Sequence, residues 1–153
     1  TGVQTCALPI SQAHPLMPAF RHTVALRWGD FDALKHVNNV SFFEFMQDAR
    51  VALIAATGLS RKDLSVIGHF VAHNEIDYIA PIGMEHPSIT VRIWVISVKG
   101  ASYELGYEFV DDTGKVYAKA RTVMVTVLME NETVIRVPDD LRSAMTQFML
   151  EEG

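Results

Sequence analysis

The stretch Trp28-Gly29-Asp30-Phe31-Asp32-Ala33-Leu34-Lys35-His36-Val37-Asn38-Asn39 gathers two carboxylates, an imidazole and two side-chain amides just before a long apolar segment. From Val40 to Ala56 there is no Gly or Pro, helix formers dominate, and Gly58 follows as a stop. A helix start leaves several backbone N–H groups without partners and carries partial positive charge, so it can hold a developing oxyanion. A carboxylate beside it could direct a water. The same residue types also build turns and cap helices, so Asp30, Asp32, Asn38 and Asn39 admit a purely structural role as well.

The elements that must position these groups follow from periodicity. Between Arg21 and Trp28, Thr23, Ala25 and Arg27 alternate with Val24, Leu26 and Trp28, the period of a half-buried strand. The helix over 40–56 is apolar almost all round, with a narrow polar strip at Ser41, Glu44, Gln47 and Asp48, so other structure must wrap it. Downstream, Phe70 to Ile79, Ser88 to Val98, Ser102 to Val110 and Lys115 to Leu128 are rich in β-branched and aromatic residues and read as four strands in succession. The turn Asp111-Asp112-Thr113-Gly114 favours an antiparallel hairpin. After Pro138, Asp139 to Leu150 opens with acidic residues and reads as a short helix. Strand, apolar helix, then a run of antiparallel strands is satisfied by a sheet curled around one central helix.

Composition narrows the function classes. The chain has 153 residues, 49% of them hydrophobic, enough for one core and too few for two ordinary domains. A net charge of −5 argues against a general nucleic-acid or membrane-surface binder, which would need a basic face. The single cysteine, Cys6, excludes an internal disulfide framework and a Cys-rich zinc site, and the composition fits a reducing cytoplasm. No stretch has the apolar length of a membrane span. Residues 1–11 resemble translated sequencing-adapter text, Met17 is a candidate true start, and the expected organisation is a tail over 1–16 followed by one domain over 17–153.

Asp30-Phe31-Asp32-Ala33-Leu34-Lys35-His36-Val37-Asn38-Asn39-Val40-Ser41-Phe42 resembles the Asp-x-Asp-x-x-Gly-His-Val-Asn-Asn-x-x-Tyr signature of the 4-hydroxybenzoyl-CoA thioesterase-like family. The resemblance extends through Arg50, to Asp77-Tyr78-Ile79-Ala80-Pro81 with the family's Asp-Tyr-x-x-Pro pattern, and to Ser102, where a Ser commonly opens the next strand. It implies an α+β hotdog fold, an antiparallel sheet of about five long strands around one helix, and hydrolysis of an acyl-CoA thioester. It also implies a homodimer or homotetramer, with no metal or organic cofactor. Asp32 matches the family's catalytic Asp, acting as general base or as nucleophile through a mixed anhydride. The N–H groups near Asn39 and Val40 would polarise the thioester carbonyl. His36 would orient Asp32, contact substrate or cap the loop, and Asn38 and Phe42 would border the substrate. Lys99, just before Gly100-Ala101-Ser102, sits where relatives place basic residues for the phosphates of CoA.

Three positions depart from the pattern. Lys35 replaces the usual Gly, Phe42 the usual Tyr and Gln47 a frequent Glu. Lys35 is expected to alter the loop path, and Phe42 removes a hydroxyl. Elsewhere, His69, His73 and Glu75 stand at even spacings that would place them on one strand face, which invites a metal site, but ordinary polar contacts near a dimer seam explain them better. Arg61, Lys62 and Arg121 could add to a basic patch, and Phe43 and Met46 could border an acyl pocket. Three other readings compete: an acyl carrier protein thioesterase, a non-catalytic acyl-CoA or lipid binder, and a hydratase of the same fold. Asp32 beside the Asn-Asn helix start favours hydrolysis.

Overall fold

A computed structural model of the chain describes residues 19–59 and 65–150. Strand β1 (Phe20–Ala25) leads through a single 3₁₀ turn (Trp28–Asp30) to helix α1 (Asn39–Ala56). Then come β2 (Ile67–Tyr78), β3 (Ser88–Val98), β4 (Ser102–Val110), β5 (Val116–Leu128) and the short β6 (Thr133–Val134), and helix α2 (Asp139–Thr146) closes the order. The sheet runs β1-β3-β4-β5-β2, antiparallel throughout, with β6 attached to β5. This is the hotdog arrangement: five longer strands curled over one long helix, plus a two-residue strand that the sequence does not signal.

Local chemistry explains the boundaries. β1 stops at Ala25, short of Trp28, because Asp30 accepts the Arg27 N–H at 2.7 Å and turns the chain. Gly58, at φ 77°, ends α1 as expected, its N–H reaching the Ala55 carbonyl. The β4–β5 hairpin turns on Asp111, whose Oδ1 accepts the Thr113 and Lys115 N–H groups at 2.9 and 3.1 Å, with Gly114 at φ 86°. α2 ends at Thr146 rather than Leu150, and the chain beyond it docks on β3, where the Val95 N–H donates to the Phe148 carbonyl at 2.9 Å.

The core lies between α1 and the concave sheet face. Phe45, Met46, Ala49 and Leu53 of α1 meet Ile89, Val91, Ile93, Leu105, Tyr107 and Phe109 of β3 and β4. α1 packs chiefly against β1 and β3 and meets β2 at its Tyr78 end, and among the described residues no strand pairs with the outer edge of β2. The helix is also less enclosed than its composition suggests: Val40, Phe43 and Val51 are exposed beside Glu44, Gln47 and Asp48, whereas Ser41 turns inward. Ser41 leaves the polar strip because its hydroxyl donates to the Asp30 carbonyl at 3.3 Å.

A bulge in β2 corrects the face assignment of its polar residues. Val71 pairs with Met124 but His73 pairs with Val123, leaving Ala72 as the extra residue. His69 therefore faces the core, 2.8 Å from the Tyr103 hydroxyl, while His73 faces outward beside Glu75. The even spacing no longer puts all three on one face. Residues 1–18, with Cys6, Met17 and the expected tail, and residues 60–64, with Arg61 and Lys62, lie outside the described residues. Among the described residues no helix is long and apolar enough to cross a membrane.

Candidate functional site

Asp30 locks the loop onto the helix start. Its buried carboxylate binds Arg27 twice, through the backbone N–H at 2.7 Å and the guanidinium at 3.2 Å, and this pairing holds the Arg27 guanidinium above its ordinary range. Its carbonyl accepts the Asn38 N–H at 2.7 Å and the Ser41 hydroxyl. Asp30 is thus a structural clasp, which leaves Asp32 as the carboxylate that faces open space.

Asp32 opens a small hairpin. Its N–H donates to the His36 carbonyl at 2.9 Å, its carbonyl accepts the Lys35 N–H at 3.0 Å, and Phe31 pairs with Val37 across the ladder. One carboxylate oxygen, Oδ1, accepts the Leu34 N–H at 2.8 Å. The other oxygen makes no hydrogen bond among the described residues. Lys35 takes φ 61°, the left-handed conformation in which glycine is easiest to place. Lys35 thus holds a conformation that glycine takes more easily, at a cost of roughly 1–2 kcal/mol for a side chain.

The helix start differs from expectation at one amide. Asn38 is the N-cap, and its Oδ1 accepts the Val40 N–H at 3.0 Å, while the Ser41 N–H returns to the Asn38 carbonyl at 2.9 Å. The Val40 amide is thus already taken and its side chain is exposed. The Asn39 N–H remains without a hydrogen-bond partner among the described residues. Asn38 acts as the cap that aims this turn and does not line the cavity.

Asp32, His36, Asn39 and Phe42 come together on a cavity of about 300 Å³, closed on the far side by Tyr78 and the segment Ile79 to Ile82. The Val37 N–H donates to the Ile82 carbonyl at 2.9 Å and His36 pairs with Gly83, so the wall and the hairpin hold each other. Phe42 is buried, its ring edge-to-face with Tyr78 and Phe109 at 5.1 and 5.0 Å. Its missing hydroxyl has a neighbour in kind: Tyr78 donates to the Asn39 carbonyl at 3.0 Å, and burial raises the Tyr78 hydroxyl above its usual range. A second cavity, about 370 Å³, opens at Asp32 between Trp28, Phe31, Ala33, Lys35 and Met84.

Lys99 and Ser102 are not brought to this site within one chain. They sit at the turn between β3 and β4, the full length of β3 away, roughly 30 Å at 3.3 Å per residue. Lys99 lies 3.8 Å from Glu104. Phe43 and Met46 line neither cavity. Arg121 is taken up by Glu75 at 2.9 Å and Glu104 at 3.6 Å, which leaves little of a basic patch there. Tyr78, Trp28 and Met84 line the cavities although the sequence assigned none of them a site role, Trp28 only opening the loop stretch. Tyr78 had one signal, its place in the Asp-Tyr-x-x-Pro pattern.

Set on this geometry, comparisons with known proteins agree with one another. A family model described as the thioesterase-like superfamily matches residues 26–145. No curated protein matches the chain. Among solved structures, the PA5185 protein from Pseudomonas aeruginosa superposes with a TM-score of 0.79 at 22% identity, covering 90% of this chain and 96% of that one. A 1,4-dihydroxy-2-naphthoyl-CoA thioesterase from Synechocystis gives 0.74 at 17% identity, covering 84% and 96%. A Staphylococcus aureus protein in complex with CoA gives 0.78 at 13%, covering 87% and 85%. At these identities the structures establish the fold, and the family match carries the class: this chain belongs to the thioesterase-like superfamily and is a thioester hydrolase.

Proposed function

We propose that the chain hydrolyses acyl-CoA thioesters at the cavity between Asp32 and the start of α1. The observation that carries this reading is that a carboxylate with one uncommitted oxygen and a helix-start amide without a partner line the same space. The CoA held by the Staphylococcus aureus structure, and the aryl-CoA substrate named for the Synechocystis one, support the choice of CoA as the leaving group.

In this mechanism the Asn39 N–H donates to the thioester carbonyl oxygen, on which negative charge develops. Asp32 either removes a proton from water as the oxygen attacks, or attacks the carbonyl carbon itself to give an anhydride that water then opens. Collapse of the tetrahedral species breaks the C–S bond. A thiolate leaves readily because thiols are acidic, with a pKa of about 8.5, and it takes up a proton afterwards. His36, on the cavity wall, contacts substrate. The Asn38 cap and the Tyr78 hydroxyl, each bonded to the first turn of α1, position the amide.

The site is completed by a second copy. β2 is a twelve-residue edge strand whose outer edge pairs with no strand among the described residues, and Phe70, Val71 and Tyr78 on it are exposed. Antiparallel pairing of two β2 strands would set the Ile67 end of one copy, and with it the Ser102 turn, toward the Tyr78 end of the other. That would bring Lys99 and Ser102 to the site across the seam.

Asp32→Asn is the direct test. Asparagine keeps an oxygen for the Leu34 N–H, so the loop should fold, while free-thiol release from a panel of aryl and alkyl acyl-CoAs should fall by about a hundredfold or more. Full activity in that variant overturns the reading. In a single turnover in ¹⁸O-water, label on the protein identifies the anhydride route, opened by water at the Asp32 carboxyl carbon.

A further inference from the structure

The 370 Å³ cavity differs in character from its neighbour. Trp28, Phe31, Ala33 and Met84 make its walls apolar, and among the described residues its only charged members are Asp32 and Lys35. Trp28 is 81% exposed and Met84 41%, so two large apolar side chains stand in water at its mouth. The Lys35 side chain forms no ion pair among the described residues, in a chain of net charge −5. Its backbone is held at φ 61°, where glycine would be less strained.

Resting on the acyl-CoA hydrolase reading, we propose that this second cavity seats the acyl group and that Lys35 selects acyl groups bearing a carboxylate. Asp32 is the wall common to both cavities, so a thioester carbon held at Asp32 sends one arm into each. The long pantetheine arm separates the phosphates of CoA from the thioester. An anion within reach of a lysine three residues from Asp32 therefore belongs to the acyl side. The apolar walls suit the hydrocarbon or aryl part, and a carboxylate brought near Asp32 meets like charge that the Lys35 ammonium offsets. As a compact, rotatable point charge, lysine accepts such a group without demanding one fixed geometry.

The experiment compares matched thioesters: glutaryl-CoA with pentanoyl-CoA, and 4-carboxybenzoyl-CoA with 4-methylbenzoyl-CoA, each followed by thiol release. The wild type should favour the carboxylated member by about tenfold in kcat/KM, expressed in KM, because a hydrogen bond to a charged group contributes on that scale. Lys35→Met and Lys35→Gly should bring the ratio close to one, and Lys35→Arg should retain it. A ratio near one in the wild type, or an unchanged ratio in both Lys35→Met and Lys35→Gly, overturns the selection by Lys35 while leaving hydrolysis intact. If no member of either pair is hydrolysed, the hydrolase reading fails and this inference falls with it.

Discussion

Tyr117 donates its hydroxyl to Asp111 Oδ2 at 2.9 Å, and its backbone carbonyl accepts the N–H groups of Ile79 and Ala80 at 2.8 and 3.0 Å. The β4–β5 turn is thereby tied to the wall of the Asp32 cavity. His86 completes the cluster, its Nε2 3.2 Å from the Tyr117 hydroxyl.

This cluster sets an acid limit. Hydrogen bonds from Thr113, then Tyr117 and Lys115, hold Asp111 down at about 2 against an ordinary 3.8. A depressed carboxylate contributes stability that is fully present above its unfolded value and is lost as pH falls toward the folded one. The melting-temperature gap between wild type and Asp111→Ala should therefore be constant above about pH 5 and shrink as pH falls through 4 toward 2. Thermal melts across that range check it, and a gap independent of pH would contradict it.

Lys35→Gly should stabilise the fold. Removing the side chain at φ 61° relieves about 1 kcal/mol, a rise of roughly 2–4 °C in melting temperature. Lys35→Ala keeps a Cβ and should gain much less.

Asn38→Ala removes the side-chain oxygen bound by the Val40 N–H. A lost N-cap of this kind costs about 1 kcal/mol of stability. Because the same cap orders the turn that presents the Asn39 amide, kcat should fall more than KM rises, and Asn38→Asp, which keeps an acceptor, should recover most of both. Steady-state kinetics beside thermal melts tests this.

Gly106→Ala probes the convex face. Gly106 pairs directly with Trp94, and an added Cβ would stand 2.5 Å from Cε2 of that indole. Overpacking of this kind costs about 1–3 kcal/mol, so denaturant unfolding should show the loss. Trp94→Leu in the same chain should return much of it.

What sequence reading captured here is local. α1, the Gly58 stop and the Asp111–Gly114 turn each depend on neighbours a few residues apart, and the loop motif placed Asp32 beside the helix start correctly. The failures are long-range. Tyr78 reaches the Asn39 carbonyl across 39 positions, a contact that its place in the Asp-Tyr-x-x-Pro pattern does not reveal. The Val40 amide was expected to be free because helix starts leave orphan donors, yet Asn38, two residues earlier, is the residue type that takes one. Lys35, where the family pattern has Gly, takes the left-handed conformation at φ 61°, which its residue type does not announce. The separation of Lys99 and Ser102 from the cavity follows from strand length and sheet order, which a linear motif does not contain.

The bulge at Ala72 gives β2 one place where its length can change, in a way that substitution would not reveal. On its two sides the strand runs in opposite phase, with His69 inward and His73 outward. Deleting Ala72 would restore simple alternation and leave every other pairing in place, because Val71 and His73 already pair with the adjacent residues Met124 and Val123, whereas one residue inserted into the regular half on either side would turn over the side chains beyond it. Exchanging Ala72 for another residue leaves the count intact. In β2 a change of length is therefore absorbed at position 72, and away from it insertions should be far less tolerated than replacements at the same positions.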